Sequence, residues 1–147
     1  MHYDHAGNHA LFPAARYHLQ SDEMAFCTGS AMCHGPLRAP FEAADVQAMV
    51  GKLFADRVVF HDGDAELAPG LTVHKVGGHT RGWQQRRPFP IVENVTAYLD
   101  AFQRIEALAS SPRHIIPGHD PLVLERYPRA RPDLADIVRL DLDPTGD

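Results

Sequence analysis

Three histidine-bearing stretches set the chemistry this chain could carry. "HYDH" brings His2, Asp4 and His5 together, "GGHTRG" carries His79, and "PGHD" carries His119. Ten of the 147 residues are histidine, and imidazole is both the commonest metal ligand and the usual acid–base group near neutral pH. Imidazole with carboxylate suits zinc and similar divalent ions, and donors from separate loops can converge on one centre. The glycines beside His79 and His119 permit sharp turns and close backbone approach. A lone histidine after a strand ordinarily caps or packs, and His79 or His119 taken singly reads that way. Three candidate ligands crowded into one short segment point to a metal instead. His9, His18, His34, His61, His74 and His114 lie outside such clusters in the sequence and read as structural or surface residues.

The hydrophobic pattern says what must hold these residues. Short helices around 6–12 and 21–34 flank "RYHLQ", a candidate strand. In "APFEAADVQAMVGKLFAD", Val46, Met49, Val50, Leu53 and Phe54 follow the spacing of one buried helical face. "RVVFHDGDAELAPGLTVHKV" reads as β structure, with an apolar run at 58–60, a turn at "DGD", and a strand over 71–76 that ends at Gly77-Gly78, just before His79. "TRGWQQRRPFPIVEN", with two prolines, reads as a loop. "NVTAYLDAFQRIEALASSP" is the strongest helix, with Asn94 as N-cap, Val95, Leu99, Phe102, Ile105 and Leu108 on one face, and Pro112 beyond its end. "HIIPGHD" predicts a short strand that runs into the turn carrying His119. The tail from Pro128, rich in charge and proline, predicts a surface helix or a frayed end. This order of elements predicts a single α/β or α+β domain over 1–147, with ligands at strand ends and their loops.

Composition narrows the function classes. A hydrophobic fraction of 44% and a charged fraction of 22% are those of an ordinary globular domain. A net charge of −5 disfavours nucleic acid and anionic membrane as partners, and the basic stretch "RGWQQRR" reads as a solvated loop. No apolar run approaches the roughly 18 residues a membrane span needs, the opening residues do not read as a secretory signal, and the expected compartment is the cytoplasm. Cys27 and Cys33 make neither a disulfide framework nor a cysteine zinc site and are expected as small buried thiols.

"HYDHAGN", "GGHTRG" and "IIPGHDPLV" together resemble the metal motifs of the metallo-β-lactamase superfamily, in particular its N-acyl-homoserine-lactonase-like branch. The similarity extends through "EMAFCTGSAMC", "FHDGDAELAPGLTVHKVGGH" and "RRPFPIVENV" and so covers nearly the whole chain. The first motif of that family is His-x-His-x-Asp-His. By resemblance, His2 matches its second histidine, Asp4 its aspartate and His5 its last histidine. His79 then matches the later ligand of the first metal site. His119 matches the last ligand of the second, alongside Asp4 and His5. The resemblance implies an αββα sandwich with a dinuclear zinc site along one edge. It also implies opening of a lactone ring by metal-activated water, with Asp4 orienting the nucleophile and shuttling a proton to the leaving alkoxide.

Two departures qualify what the resemblance implies. The first histidine of the motif would stand before Met1, where the family commonly has an apolar residue such as leucine, and the expectation is a reading frame that starts upstream. The portion of the family that precedes it, which supplies N-terminal strands, would lie there too. After "GGHTRG" the family continues through two strands to an aspartate that bridges both metals, and the lactonases often add a catalytic tyrosine nearby. Here only Trp83, Gln84 and Gln85 separate Gly82 from "RRPFP", and Glu93, at a helix start beyond two prolines, is not expected to substitute. The expected metal count is therefore one zinc or none, with Asp4, His5 and His119 the fuller ligand set and His2 with His79 the poorer. A partial sandwich would also leave sheet edges open for pairing with a second copy. The expected function is a zinc-dependent, lactonase-like hydrolase of small esters or lactones, impaired in this chain. The alternatives are a non-catalytic metal-binding remnant or interaction module, and a thioester or phosphoester hydrolase of the same superfamily.

Overall fold

A computed structural model describes residues 1–76 and 94–145. The chain divides into two compact units, Met1–Lys75 and Val76–Asp147. Both helix and strand are present and the sheets are small, so the class is α+β.

The first unit opens with helix α1 (Tyr3–Ala6) and a 3₁₀ turn at His9–Leu11, followed by strand β1 (Tyr17–Gln20). Helix α2 (Ser21–Thr28), a 3₁₀ turn at Ser30–Cys33, helix α3 (Gly35–Arg38) and helix α4 (Ala43–Phe54) come next. Strand β2 (Val58–His61) then pairs in parallel with β1, with Tyr17 opposite Val58 and Gln20 opposite His61. Parallel neighbours need a long crossover, and residues 21–57 supply it. Strands β3 (Ala65–Ala68) and β4 (Leu71–Val73) form a separate antiparallel hairpin. Its turn is Pro69-Gly70, where proline presets φ and Gly70 adopts a φ of +79°.

Tyr17 and Arg57 fix the approach to β1. The Tyr17 hydroxyl donates to the His9 carbonyl at 2.9 Å, and the Arg57 guanidinium donates to the carbonyls of Ala15 and Phe12. The Lys52 ammonium and the Arg57 guanidinium lie 5.1 and 5.7 Å from the Tyr17 ring centroid, in cation–π range. The segment between α1 and β1 is thereby tied to the strand pair.

The α4 helix forms with Met49 as its buried centre, 2% exposed, and Val46, Val50 and Leu53 half-buried around it. Phe54 departs from the expected face and stands 87% exposed. It is the last helical residue, and the chain reverses at once through Asp56 in the left-handed region, so no element among the described residues covers it. The expected helix over 21–34 is split at Gly29, whose backbone is extended. Cys27 is buried as expected, and burial pushes its thiol pKa up. Cys33 is exposed, contrary to expectation, because Ala31 and Met32 take the half-buried positions of the turn that carries it. The expected strand over 71–76 stops at Val73. Beyond it the Lys75 amide donates to the Asp64 carboxylate at 2.9 Å rather than to a ladder.

The second unit is built on helix α5 (Val95–Leu108), capped by the Asn94 side chain, which accepts from the Ala97 amide at 2.9 Å. The buried stripe is Tyr98, Ala101 and Phe102, with Ile105 half-buried. Val95, Leu99 and Leu108, expected inside, are exposed. Positions 98, 101, 102 and 105 are an equally regular helical stripe. The Tyr98 ring, 5.1 Å from Phe102 and edge-on to it, supplies the bulk that a purely aliphatic reading assigns elsewhere.

The strand expected at "HIIPGHD" does not form. A 3₁₀ turn occupies Pro112–His114, and the extended residues after it run unpaired among the described residues up to Pro117, which has no N–H to offer a neighbour. A short helix, α6 (Val123–Arg126), follows. Over the described residues 128–145 the tail is neither a helix nor frayed. An antiparallel bridge joins Arg129 to Val138, the Ala130 amide donates to the Ile137 carbonyl at 2.9 Å, and the Thr145 amide donates to the Arg126 carbonyl at 2.7 Å. The buried Tyr127 hydroxyl donates to the Arg113 carbonyl, and Arg113 donates to the Pro144 carbonyl at 2.8 Å. No helix among the described residues is long and apolar enough to cross a membrane.

Candidate metal centre

In the first unit, α1 presents the N-terminal cluster. His2 is its N-cap, with extended backbone. The Tyr3 amide donates to the Pro40 carbonyl at 3.0 Å, and the buried Ala6 seats the opposite face. Asp4 and His5 stand exposed on this one-turn platform, with Asp4 Oδ2 3.7 Å from His5 Nε2. Donors on a tetrahedral zinc with bonds of about 2.0–2.1 Å lie about 3.3 Å apart. The carboxylate–imidazole spacing is within a few tenths of an ångström of that, so the donor set and its separation fit one zinc. His2 has an aromatic neighbour. Its ring packs edge-on against Phe41, with centroids 4.8 Å apart and planes at 88°.

In the second unit, His119 sits exposed in the turn between the 3₁₀ element and α6, with a φ of +62°. A residue with a Cβ pays about 1–2 kcal/mol there, and strained positions of this kind concentrate where a side chain must be aimed. Asp120 follows, and its carboxylate accepts from the Leu122 amide at 3.0 Å, which starts the turn into α6. His119 borders an open groove walled by Ile116, Pro117, Val123, Leu124 and Leu140. The strain is testable. His119→Gly should unfold at a higher temperature than His119→Ala, by the equivalent of about 1 kcal/mol, since glycine adopts this backbone freely. Equal stability would show that the turn does not impose the conformation.

His79 lies outside the described residues, as do Gly82, Trp83, Gln84, Gln85 and Glu93. Comparison with protein-family models, with curated proteins and with solved structures returns no match.

Two histidine groupings were not legible from the sequence. His74 Nδ1 lies 2.8 Å from Asp64 Oδ2, while His74 Nε2 lies 3.1 Å from the Thr72 hydroxyl. His18 Nδ1 lies 2.9 Å from His61 Nε2 across β1 and β2. His114 behaves as a structural residue, with Nδ1 3.0 Å from the Ser111 hydroxyl. Away from the metal candidates, the Asp22 carboxylate raises the pKa of the Lys75 ammonium through their hydrogen bond. The forked contact from Arg139 holds the Asp141 carboxyl below its ordinary range.

Proposed function

We propose that this chain is a zinc-dependent hydrolase of the lactonase-like branch of the metallo-β-lactamase superfamily, built on part of an αββα sandwich. The ligands that the resemblance assigns to a single zinc are Asp4, His5 and His119. The observation that carries this reading is the Asp4–His5 donor pair, exposed on one helical turn at the spacing of two ligands on one ion. The order and company of "HYDH", "GGHTRG" and "PGHD" support it. A zinc bound there would supply an activated water and polarise an ester or lactone carbonyl. The Asp4 carboxylate orients the nucleophile and carries the proton to the departing alkoxide. His2 and His79 make a second, poorer set. No carboxylate stands between Gly82 and "RRPFP" to link the two sets, so turnover of a lactone is weak or absent. The substrate is a small ester or lactone, and the compartment is the cytoplasm.

The test is metal analysis of chain that survives gel filtration, followed by an assay on an N-acyl-homoserine lactone. One zinc per chain with slow or no ring opening is expected. A folded chain without zinc would overturn the metal assignment. Turnover of about 1–10³ s⁻¹ would overturn the impairment.

A second reading, an interaction module that pairs with another copy of itself, is favoured by the apolar surface. Phe54 is 87% and Leu11 72% exposed, and each sheet is only two strands wide among the described residues. A monomer at micromolar concentration in gel filtration would dismiss it.

A further inference from the structure

The parallel register places His18 beside Val59 and His61 beside Gln20, so the two imidazoles rise diagonally from the same face of the β1–β2 pair. His18 Nδ1 and His61 Nε2 are 2.9 Å apart. The ring planes differ by 13° and the centroids are 5.2 Å apart. The centroids are thus farther apart than the nitrogens by about the two ring radii. The rings therefore meet edge to edge, one N–H donating to the other ring's lone pair, rather than lying face on face.

The backbone beneath His61 is held from both sides. The Ser21 hydroxyl donates to the His61 carbonyl at 3.2 Å. The Gln20 side chain donates to the Gly63 carbonyl at 2.7 Å and accepts from the Gly63 amide at 3.0 Å. His18 is exposed and His61 half-buried, so solvent reaches the pair.

We propose that His18 and His61 form a second metal site, a two-imidazole seat for a divalent transition-metal ion, with copper(II) preferred. Neighbouring donors at about 2.0 Å from a metal lie about 2.8 Å apart on a tetragonal centre and about 3.3 Å apart on a tetrahedral one. The observed 2.9 Å matches the tetragonal case, the geometry of copper(II), which also tops the general affinity order for nitrogen donors. Entry turns each ring by about 45°, because the two nitrogens now face each other along the line of centroids and both lone pairs must instead converge on one ion at about 90°. The ring that donates in the metal-free pair passes that proton through water to its other nitrogen, so two neutral imidazoles bind with no net proton released. Waters complete the coordination. This site is separate from Asp4, His5 and His119 in residues and in preferred ion.

The experiment titrates copper(II) chloride into the whole chain. Binding is followed by calorimetry and by paramagnetic broadening of amide NMR signals. Broadening should centre on residues 17–20 and 58–61. His18→Gln and His61→Gln should each weaken that binding about 100-fold, since a chelate becomes a single ligand. The double variant should lose one copper per chain while its circular dichroism stays unchanged. A variant with Asp4→Ala and His5→Ala should keep the strand-centred broadening. Absence of broadening at these strands with excess copper, or its persistence in the double variant, would overturn the proposal.

Discussion

Zinc bound to the purified chain should fall from one equivalent to none when His5 is replaced by alanine or Asp4 by asparagine. Three protein donors are the fewest that hold a catalytic zinc, so a set of three has none to spare. Asp4→Asn keeps the size of the side chain and removes its charge, which separates coordination from packing. Outer-sphere substitutions at zinc sites typically cost 10–100-fold in affinity, and loss of a direct ligand should cost at least about 100-fold. His2→Ala is the informative control. Its ring packs on Phe41 at 4.8 Å, so its removal should leave the zinc in place and lower stability by about 0.5–1.5 kcal/mol. Metal analysis after dialysis decides the matter. Zinc retained by His5→Ala, or lost with His2→Ala alone, would move the centre to the other ligand set.

Tyr98→Ala should be the most damaging single change in the second unit, at about 3–5 kcal/mol. Tyr98 is 1% exposed and is the largest fully buried side chain among the described residues. Its ring meets Phe102 edge-on at 5.1 Å, so truncation loses that contact as well as the buried area. Whole domains are stable by only about 5–15 kcal/mol, so the loss is a large share. Tyr98→Phe should recover most of it. Val95→Ala, on the exposed side of the same helix, should change stability by less than about 0.5 kcal/mol. Urea unfolding of the three variants reads this directly. A larger loss for Val95→Ala than for Tyr98→Ala would restore the aliphatic face that the sequence suggests.

Those comparisons mark what periodicity can and cannot supply. Helices α4 and α5 are legible because their apolar spacing is regular and Asn94 is a strong cap, yet the rotation of α5 is misread. Two stripes on that helix are equally regular, and only packing chooses between them. The exposure of Phe54 follows from what comes after it, a reversal at Asp56 that pattern does not mark.

The candidate site divides in the same way. His2, Asp4 and His5 are adjacent in sequence, so their clustering is visible there. The pairing of His74 with Asp64 depends on a β-bulge between Glu66 and Ala68, which shifts the register away from the turn. An unbulged two-residue hairpin would have set Ala65 opposite His74 instead. His18 and His61 meet only because β1 and β2 are parallel and in one particular register, and nothing in either segment states that.

The narrowness of the β1–β2 pair has a consequence for hydrogen exchange. The Tyr17 amide donates to the Arg57 carbonyl at 2.8 Å, and Leu19, two residues on, points the same way along the ladder. His18 and Gln20 point their amides to the opposite edge, where no third strand stands among the described residues. In heavy water, protection should alternate residue by residue along β1, slow at 17 and 19 and fast at 18 and 20. Uniform slowing along all four would mean that the outer edge is covered in solution, and its dependence on protein concentration would tell a second copy from the chain itself.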